Sequence, residues 1–173
     1  MSQLPICVYT RYTAGTMSSA PRRPRNAPPQ VQGCTCNRLR RLTRRVTAVY
    51  DHALAACGLR GTQFSLLSNL LVLQTPTLSV LAEAMDMERT TLTRNLRPLI
   101  AAGWVALQPG RNARNREARM TPAGRAKLAQ AKPHWRRAQS TLNSALGDAE
   151  VARLHRLVDR YLPLLRGPVH SDG

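Results

Sequence analysis

Acidic residues and aromatics are what this chain has least of. Asp and Glu together number 9 in 173 residues, and aromatics make up 4%, with a single Phe. Without aromatic bulk, a core must be built from Leu, Ala and Val, a composition that favours helices. No carboxylate pair, phosphate-cradling Gly-rich loop or nucleophile–base constellation is present, and His52, His134, His155 and His170 are scattered. Neither an enzyme nor a resident cofactor or metal is therefore expected. No apolar run approaches the roughly 20 residues that span a bilayer. The N-terminus lacks the apolar centre of a secretory signal. The expectation is a cytoplasmic protein with no membrane partner and with its four cysteines reduced.

What the chain has is arginine. Lys and Arg number 26, for a net charge of +17, and lysine occurs only at Lys127 and Lys132. Such a surplus speaks of partners rather than fold, and the natural partner is a polyanion. The planar guanidinium grips phosphate and guanine in two-point contacts. A merely solvated basic surface is the plainer alternative.

The charge is not confined to one end. Residues 1–33 hold Pro5, Pro21, Pro24, Pro28 and Pro29 with Arg11, Arg22, Arg23 and Arg25 and no acid. Too little there can be buried to order the segment, which reads as a disordered basic tail. Met17 offers an alternative start within it. Residues 34–61 read as a first helix, with Leu39, Leu42, Val46, Val49, Tyr50, Ala53, Leu54 and Cys57 at helical spacing and Gly58 as terminator. Arg40, Arg41, Arg44 and Arg45 lie off that stripe. A second helix is predicted from Thr62 to Leu73, with Phe64, Leu67, Leu70 and Leu71 inward, ended by Gln74-Thr-Pro-Thr77.

Leu78 to Ile100 then reads as two short helices joined by a tight turn. Thr77 is the N-cap of the first, and Leu78, Leu81, Ala82 and Met85 form its buried face. Asp86 suits a left-handed turn position. In the second, Leu92, Leu96, Leu99 and Ile100 are the anchors, leaving Arg89, Thr90, Thr93, Arg94 and Arg97 outward. That pattern is a helix-turn-helix whose second helix is shaped for the DNA major groove. Pro98 should kink its last turns. Trp104–Leu107 and Glu117–Met120 are predicted strands around the cationic tip Arg111–Arg116, a β-hairpin wing. Thr121-Pro122 starts a long helix to about Leu146, passing through Leu128, Ala131, Trp135, Ala138 and Leu142, with a bend at Pro133. Asp148 is the expected cap of a last helix bearing Val151, Leu154, Leu157, Val158, Tyr161, Leu162 and Leu165.

Residues 62–124 thus form a DNA-binding region. Residues 125–166, together with the first helix, form a helical dimerisation region, since both end stripes are too apolar to be mere flanks. Residues 167–173 are a flexible tail. The fold class is mainly α.

From Cys36 to Leu165 this order of elements resembles the MarR family of bacterial winged helix-turn-helix regulators. The closest stretches are Gln63-Phe64-Ser65-Leu66-Leu67, Leu81-Ala82-Glu83, Thr90-Thr91-Leu92-Thr93-Arg94 and Met120-Thr121-Pro122-Ala123-Gly124. The family commonly has Asp-x-Arg at the wing tip, where this chain has Asn112-Ala113-Arg114. Glu88 stands where Ser or Asp usually caps the recognition helix.

The resemblance implies a homodimer on an imperfect palindrome of double-stranded DNA, with repression as the family default. A non-sequence-specific nucleic-acid-binding module is the other reading. Arg89 and Arg94 are candidates for guanine, and Thr90, Thr91 and Thr93 for phosphate or thymine methyl. Arg111, Arg114 and Arg116 suit the minor groove. Thr91 could instead bond within its own helix, and Arg97 could serve a surface pair.

Three kinds of signal remain open. Cys36 lies fourteen residues before Tyr50, an interval that resembles the organic-peroxide-sensing branch, although Arg40 and Gly61 replace that branch's other two tyrosines. Arg40 and the helix N-terminus would favour a Cys36 thiolate, making oxidant or electrophile sensing reasonable. Cys34 and Cys36 together suggest a soft metal, but His52 is too far along the helix to join them. Cys57 is expected to be a buried apolar residue. A small aromatic acid in the family pocket, paired by Arg44 or Arg45, is the third.

Overall fold

The computed structural model describes residues 33–110 and 115–165. Six α-helices flank one hairpin among them: α1 (Thr35–Ala55), α2 (Gly61–Leu73), α3 (Leu78–Ala84), α4 (Arg89–Ala101), β1 (Val105–Pro109), β2 (Arg116–Met120), α5 (Pro122–Leu146) and α6 (Asp148–Tyr161), then a short 3-10 turn, Pro163–Leu165. None of these helices is long and apolar enough to cross a membrane.

The core lies where α2, α3, α4, the hairpin and the start of α5 converge. Leu66, Leu67, Leu70, Leu81, Leu92, Leu96, Leu99 and Leu128 are essentially inaccessible, and Ala118, Met120 and Ala131 complete it. Leucine and alanine do replace aromatic bulk here. A stacked ring pair, Phe64 on Trp135 at 5.7 Å and 10°, lies at the side of this core and joins α2 to α5. Offset stacking of this kind adds to the area buried.

One predicted face is corrected. Leu71 was expected inward on α2, but it is 40% exposed, whereas Leu66, not singled out, is fully buried. Helix α2 is packed on more than one side, so its burial does not follow a single stripe. Leu66→Ala should cost about 2–5 kcal/mol of stability by leaving a cavity, and Leu71→Ala well under half as much. Chemical denaturation of the two variants measures the difference.

The element ends follow local chemistry. Thr77 Oγ1 accepts the Val80 amide at 3.3 Å, and Thr121 Oγ1 accepts that of Gly124 at 3.0 Å, both as N-caps. Asp86 takes φ 51, as its place in the turn requires. Asp148, expected as a cap, is instead the first residue of α6, with Gly147 before it at φ 86. In that position its carboxylate, with Glu150, faces the positive end of the helix dipole. Helices α4 and α5 both run on through their prolines, Pro98 and Pro133.

In the hairpin, Val105 pairs with Met120 and Pro109 with Arg116, so both strands reach farther toward the tip than predicted. A bridge between Thr77 and Glu117 and the bond from Ala118 N–H to the Pro76 carbonyl at 2.9 Å tie the α2–α3 connection to the sheet. These bonds hold the wing against the helix-turn-helix.

Apolar residues of the two ends remain uncovered within one chain. Leu39 and Leu42 on α1, Leu157, Val158 and Tyr161 on α6, and Leu164 and Leu165 beyond it are all exposed.

Candidate nucleic-acid interface

Helix α4 divides sharply. Leu92, Leu96 and Leu99 are sunk in the core, so the helical period turns Arg89, Thr90, Thr93, Arg94 and Arg97 to solvent, with Thr91 half-buried at the margin. These six side chains line one continuous outer surface. It carries three guanidinium groups and no carboxylate. Helix α3 and the turn at Asp86 fix its approach angle, because Met85, Asp86 and Met87 each bond back to α3 carbonyls at 2.9–3.2 Å.

Local bonding within the helix falls on a different threonine from the one considered in the sequence. Thr93 Oγ1 donates to the Arg89 carbonyl at 2.8 Å, which leaves its methyl as the outward group. Glu88 precedes α4 in an extended conformation without a side-chain cap bond to the helix. Arg116 is exposed at the tip end of β2. Arg111 and Arg114 lie outside the described residues. Arg119, which the sequence reading passed over, is also exposed on β2. Strand alternation puts it opposite the buried Ala118 and Met120, and that period was the signal that could have found it.

A second feature lies beneath this surface. Thr47, Tyr50 and Leu54 of α1, Gly61, Thr62, Phe64 and Ser65 of α2, Met85 and Met87 of the turn and Trp135 of α5 line a solvent-open cavity of about 380 Å³. None of these side chains is charged. Behind one lining residue, the Asp51 carboxylate accepts the Gly61 amide at 2.7 Å. Arg44 and Arg45, expected to offer a partner for a carboxylate ligand, line a separate depression with Arg38, Arg41 and Leu42. Arg44 also borders a surface with Cys36, Leu39 and Arg40, and none of these arginines lines the cavity.

Tyr50 starts a polar chain away from this cavity. Its hydroxyl donates to Gln139 Oε1 at 2.6 Å, Gln139 Nε2 to Asn143 Oδ1 at 2.9 Å, and Asn143 Nδ2 to the Asp148 carboxylate at 2.8 Å. Burial raises the Tyr50 phenol above its ordinary value, so it remains a donor at neutral pH.

The structure does not bring Cys36 and Tyr50 together within one chain. Both lie on α1, about 21 Å apart along its axis at the usual rise. Cys36 is exposed and shares a surface with Leu39, Arg40 and Arg44. Cys34 is exposed as well, and Cys57 is buried, its thiol donating to the Leu54 carbonyl at 3.1 Å. Among the described residues no group of three or more His, Cys, Asp or Glu is placed to hold a metal ion.

The MarR family model matches residues 59–114, the helix-turn-helix and the first half of the wing. The transcriptional regulator MosR of M. tuberculosis, solved in complex with DNA, is 36% identical, with 78% of this chain and 100% of that chain covered and a TM-score of 0.68. The chain belongs to the MarR family. Two family members at lower identity share its fold. A mutant MarR of E. coli complexed with operator DNA is 22% identical over 74% of this chain and 93% of that one, TM-score 0.68. BpsR of Bordetella bronchiseptica, whose DNA binding is regulated by 6-hydroxynicotinic acid, is 20% identical over 79% and 99%, TM-score 0.68. No curated protein sequence matches.

Proposed function

We propose that this chain is a cytoplasmic transcription regulator that binds a palindromic DNA site as a homodimer, as a repressor. The observation that carries the reading is the outer face of α4: three arginines and three threonines on a helix whose other side is locked in the core. Arg89 and Arg94 reach guanine, Thr90, Thr91 and Thr93 contact phosphate or thymine methyl, and Arg111, Arg114 and Arg116 follow the minor groove. The uncovered apolar residues of α1 and α6 supply the dimer contact. DNA binding by MosR supports the same reading. Footprinting on the DNA upstream of the chain's own gene tests it: protection confined to one palindrome is expected, and uniform coverage would favour a non-specific module. Affinity should fall with salt at a log–log slope of magnitude roughly 6 or more per dimer. A flat response would remove the electrostatic argument.

Two signals fit this regulator. The exposed Cys36 beside Arg40, with Cys34 near it in sequence, suits a thiol oxidant or electrophile. DNA release by such a reagent should vanish in Cys36→Ser. The uncharged cavity favours a neutral, planar aromatic ligand over an aromatic acid, since its walls offer rings, thioethers and hydroxyls and no cation, and one lining residue, Gly61, is bonded to the Asp51 carboxylate. In a Trp104→Phe background, quenching of Trp135 fluorescence should therefore be stronger with a phenol or a benzamide than with the matching benzoate. The reverse order would overturn the ligand class.

A further inference from the structure

Two methionines bracket the turn of the helix-turn-helix. Met85 and Met87 flank Asp86, the left-handed residue that links α3 to α4, and both are half-buried against the solvent-open cavity. Each sulfur is engaged by an asparagine amide. Asn69 Nδ2 on α2 donates to Met85 Sδ at 3.0 Å and also to the Ser65 carbonyl at 3.0 Å. Asn95 Nδ2 on α4 donates to Met87 Sδ at 3.7 Å. Met120, by contrast, is only 2% exposed.

We propose that Met85 and Met87 form a paired oxidation site through which oxygen-transferring oxidants such as hypochlorous acid or hydroperoxides act on the recognition helix. The regulatory half of this rests on the DNA-binding reading above. With hypochlorous acid, the sulfur lone pair attacks oxygen, the O–Cl bond breaks, and a sulfoxide forms as chloride and a proton leave. Sulfur is oxidised by two electrons and the oxidant is reduced by two. The product turns a flexible apolar side chain into a polar one. At Met85 the new oxygen competes with the Ser65 carbonyl for the Asn69 amide. At Met87 it draws on Asn95, which sits one residue from Arg94 in the middle of α4.

The turn has little freedom to absorb this, because three successive amides hold it to α3: Met85 N–H to Leu81, Asp86 N–H to Glu83 and Met87 N–H to Ala82. The displacement passes to α4 instead. This site is separate from the thiols, since the described cysteines line none of the cavity.

The test oxidises the full chain with a few equivalents of hypochlorous acid, then treats it with dithiothreitol, which reverses disulfides and sulfenic acids but not sulfoxides. Peptide mapping should show Met85 and Met87 oxidised at least tenfold faster than Met120. Affinity for a palindrome selected from a random duplex pool should fall at least tenfold and return after methionine sulfoxide reductases A and B. The double variant Met85→Leu, Met87→Leu should bind as the unoxidised protein does and resist the oxidant. Trp135 emission, read without DNA in a Trp104→Phe background, reports the same cavity and should shift on oxidation only where Met85 and Met87 are present.

Oxidation no faster than at Met120 overturns the proposal. So does unchanged affinity of the oxidised protein, or equal loss in the leucine variant. If the untreated protein selects no palindrome, the regulator reading fails, and the mapping and Trp135 emission still decide whether this is an oxidation site.

Discussion

Arg94→Ala should weaken binding to the specific palindrome by roughly thirty-fold to twenty-thousand-fold. A two-point arginine–guanine contact contributes about 1–3 kcal/mol of discrimination. A two-fold dimer uses the residue twice, so the losses combine to about 2–6 kcal/mol if the half-sites are independent. The fold should not suffer. Arg94 is exposed, and alanine is the better helix former, so stability should stay within about 0.5 kcal/mol. On a scrambled duplex the loss should be far smaller, because only a phosphate contact is removed there. Titration of both duplexes separates the possibilities. Equal loss on the two would make Arg94 a phosphate contact, and no loss on either would take it out of the interface. Thr93 gives the contrast, since its hydroxyl is already bonded to the Arg89 carbonyl and only its methyl faces outward.

Most of this face was legible in the sequence because one helix with one buried side obeys one period. Leu92, Leu96 and Leu99 repeat at three and four residues, so the outward positions follow without knowing what covers the inward ones. The same logic failed at α2, where Leu66 is as buried as Leu67, because a helix packed on several sides has no single stripe. The Thr77–Glu117 bridge was illegible for another reason. A one-residue strand has no alternation to detect, and its partner lies forty residues away. Gln74, with φ 67, was read only as part of a breaker, since residue type does not announce a left-handed backbone outside Gly and Asn or Asp.

The cavity was the least legible feature. Its location was implied by the family resemblance, but its chemistry depends on which face of α1 packs. Arg44 and Arg45 are only about one and a half helical turns from Tyr50, yet they line a different surface. The chain Tyr50–Gln139–Asn143–Asp148 was equally hidden, because Gln139, Asn143 and Asp148 are polar residues of helices legible only through their apolar stripes. It joins the cavity to the α5–α6 corner by three bonds of 2.6–2.9 Å. A ligand that takes the Tyr50 hydroxyl would compete with Gln139 at the first of them, so the corner that orients α6 has a physical tie to the cavity.

Gly124→Ala should be the most damaging glycine-to-alanine change among the described residues. Gly124 is buried at the third position of α5. A Cβ there would fall well inside contact distance of the Trp104 carbonyl oxygen and 2.8 Å from Met120 Cγ. The methionine could shift, but the carbonyl could not easily do so. It already accepts the Thr121 amide at 3.0 Å and the Thr121 hydroxyl at 3.2 Å, the bonds that join the end of the wing to the start of α5. The helix must therefore lift from the hairpin, at a cost of about 3 kcal/mol or more. Against this, alanine returns at most about 1 kcal/mol of helix propensity. The net loss should lower the Tm by roughly 5–10 °C for a domain of this size. Gly103→Ala is the comparison. Its φ of 71 carries a backbone penalty, but nothing lies within 4 Å of the added carbon, so it should cost only about 1 kcal/mol. Thermal unfolding of the two variants orders the effects. A Gly124→Ala protein as stable as the parent would mean that α5 does not approach the wing this closely, and with it the anchoring of the wing to the recognition unit would have to be reconsidered.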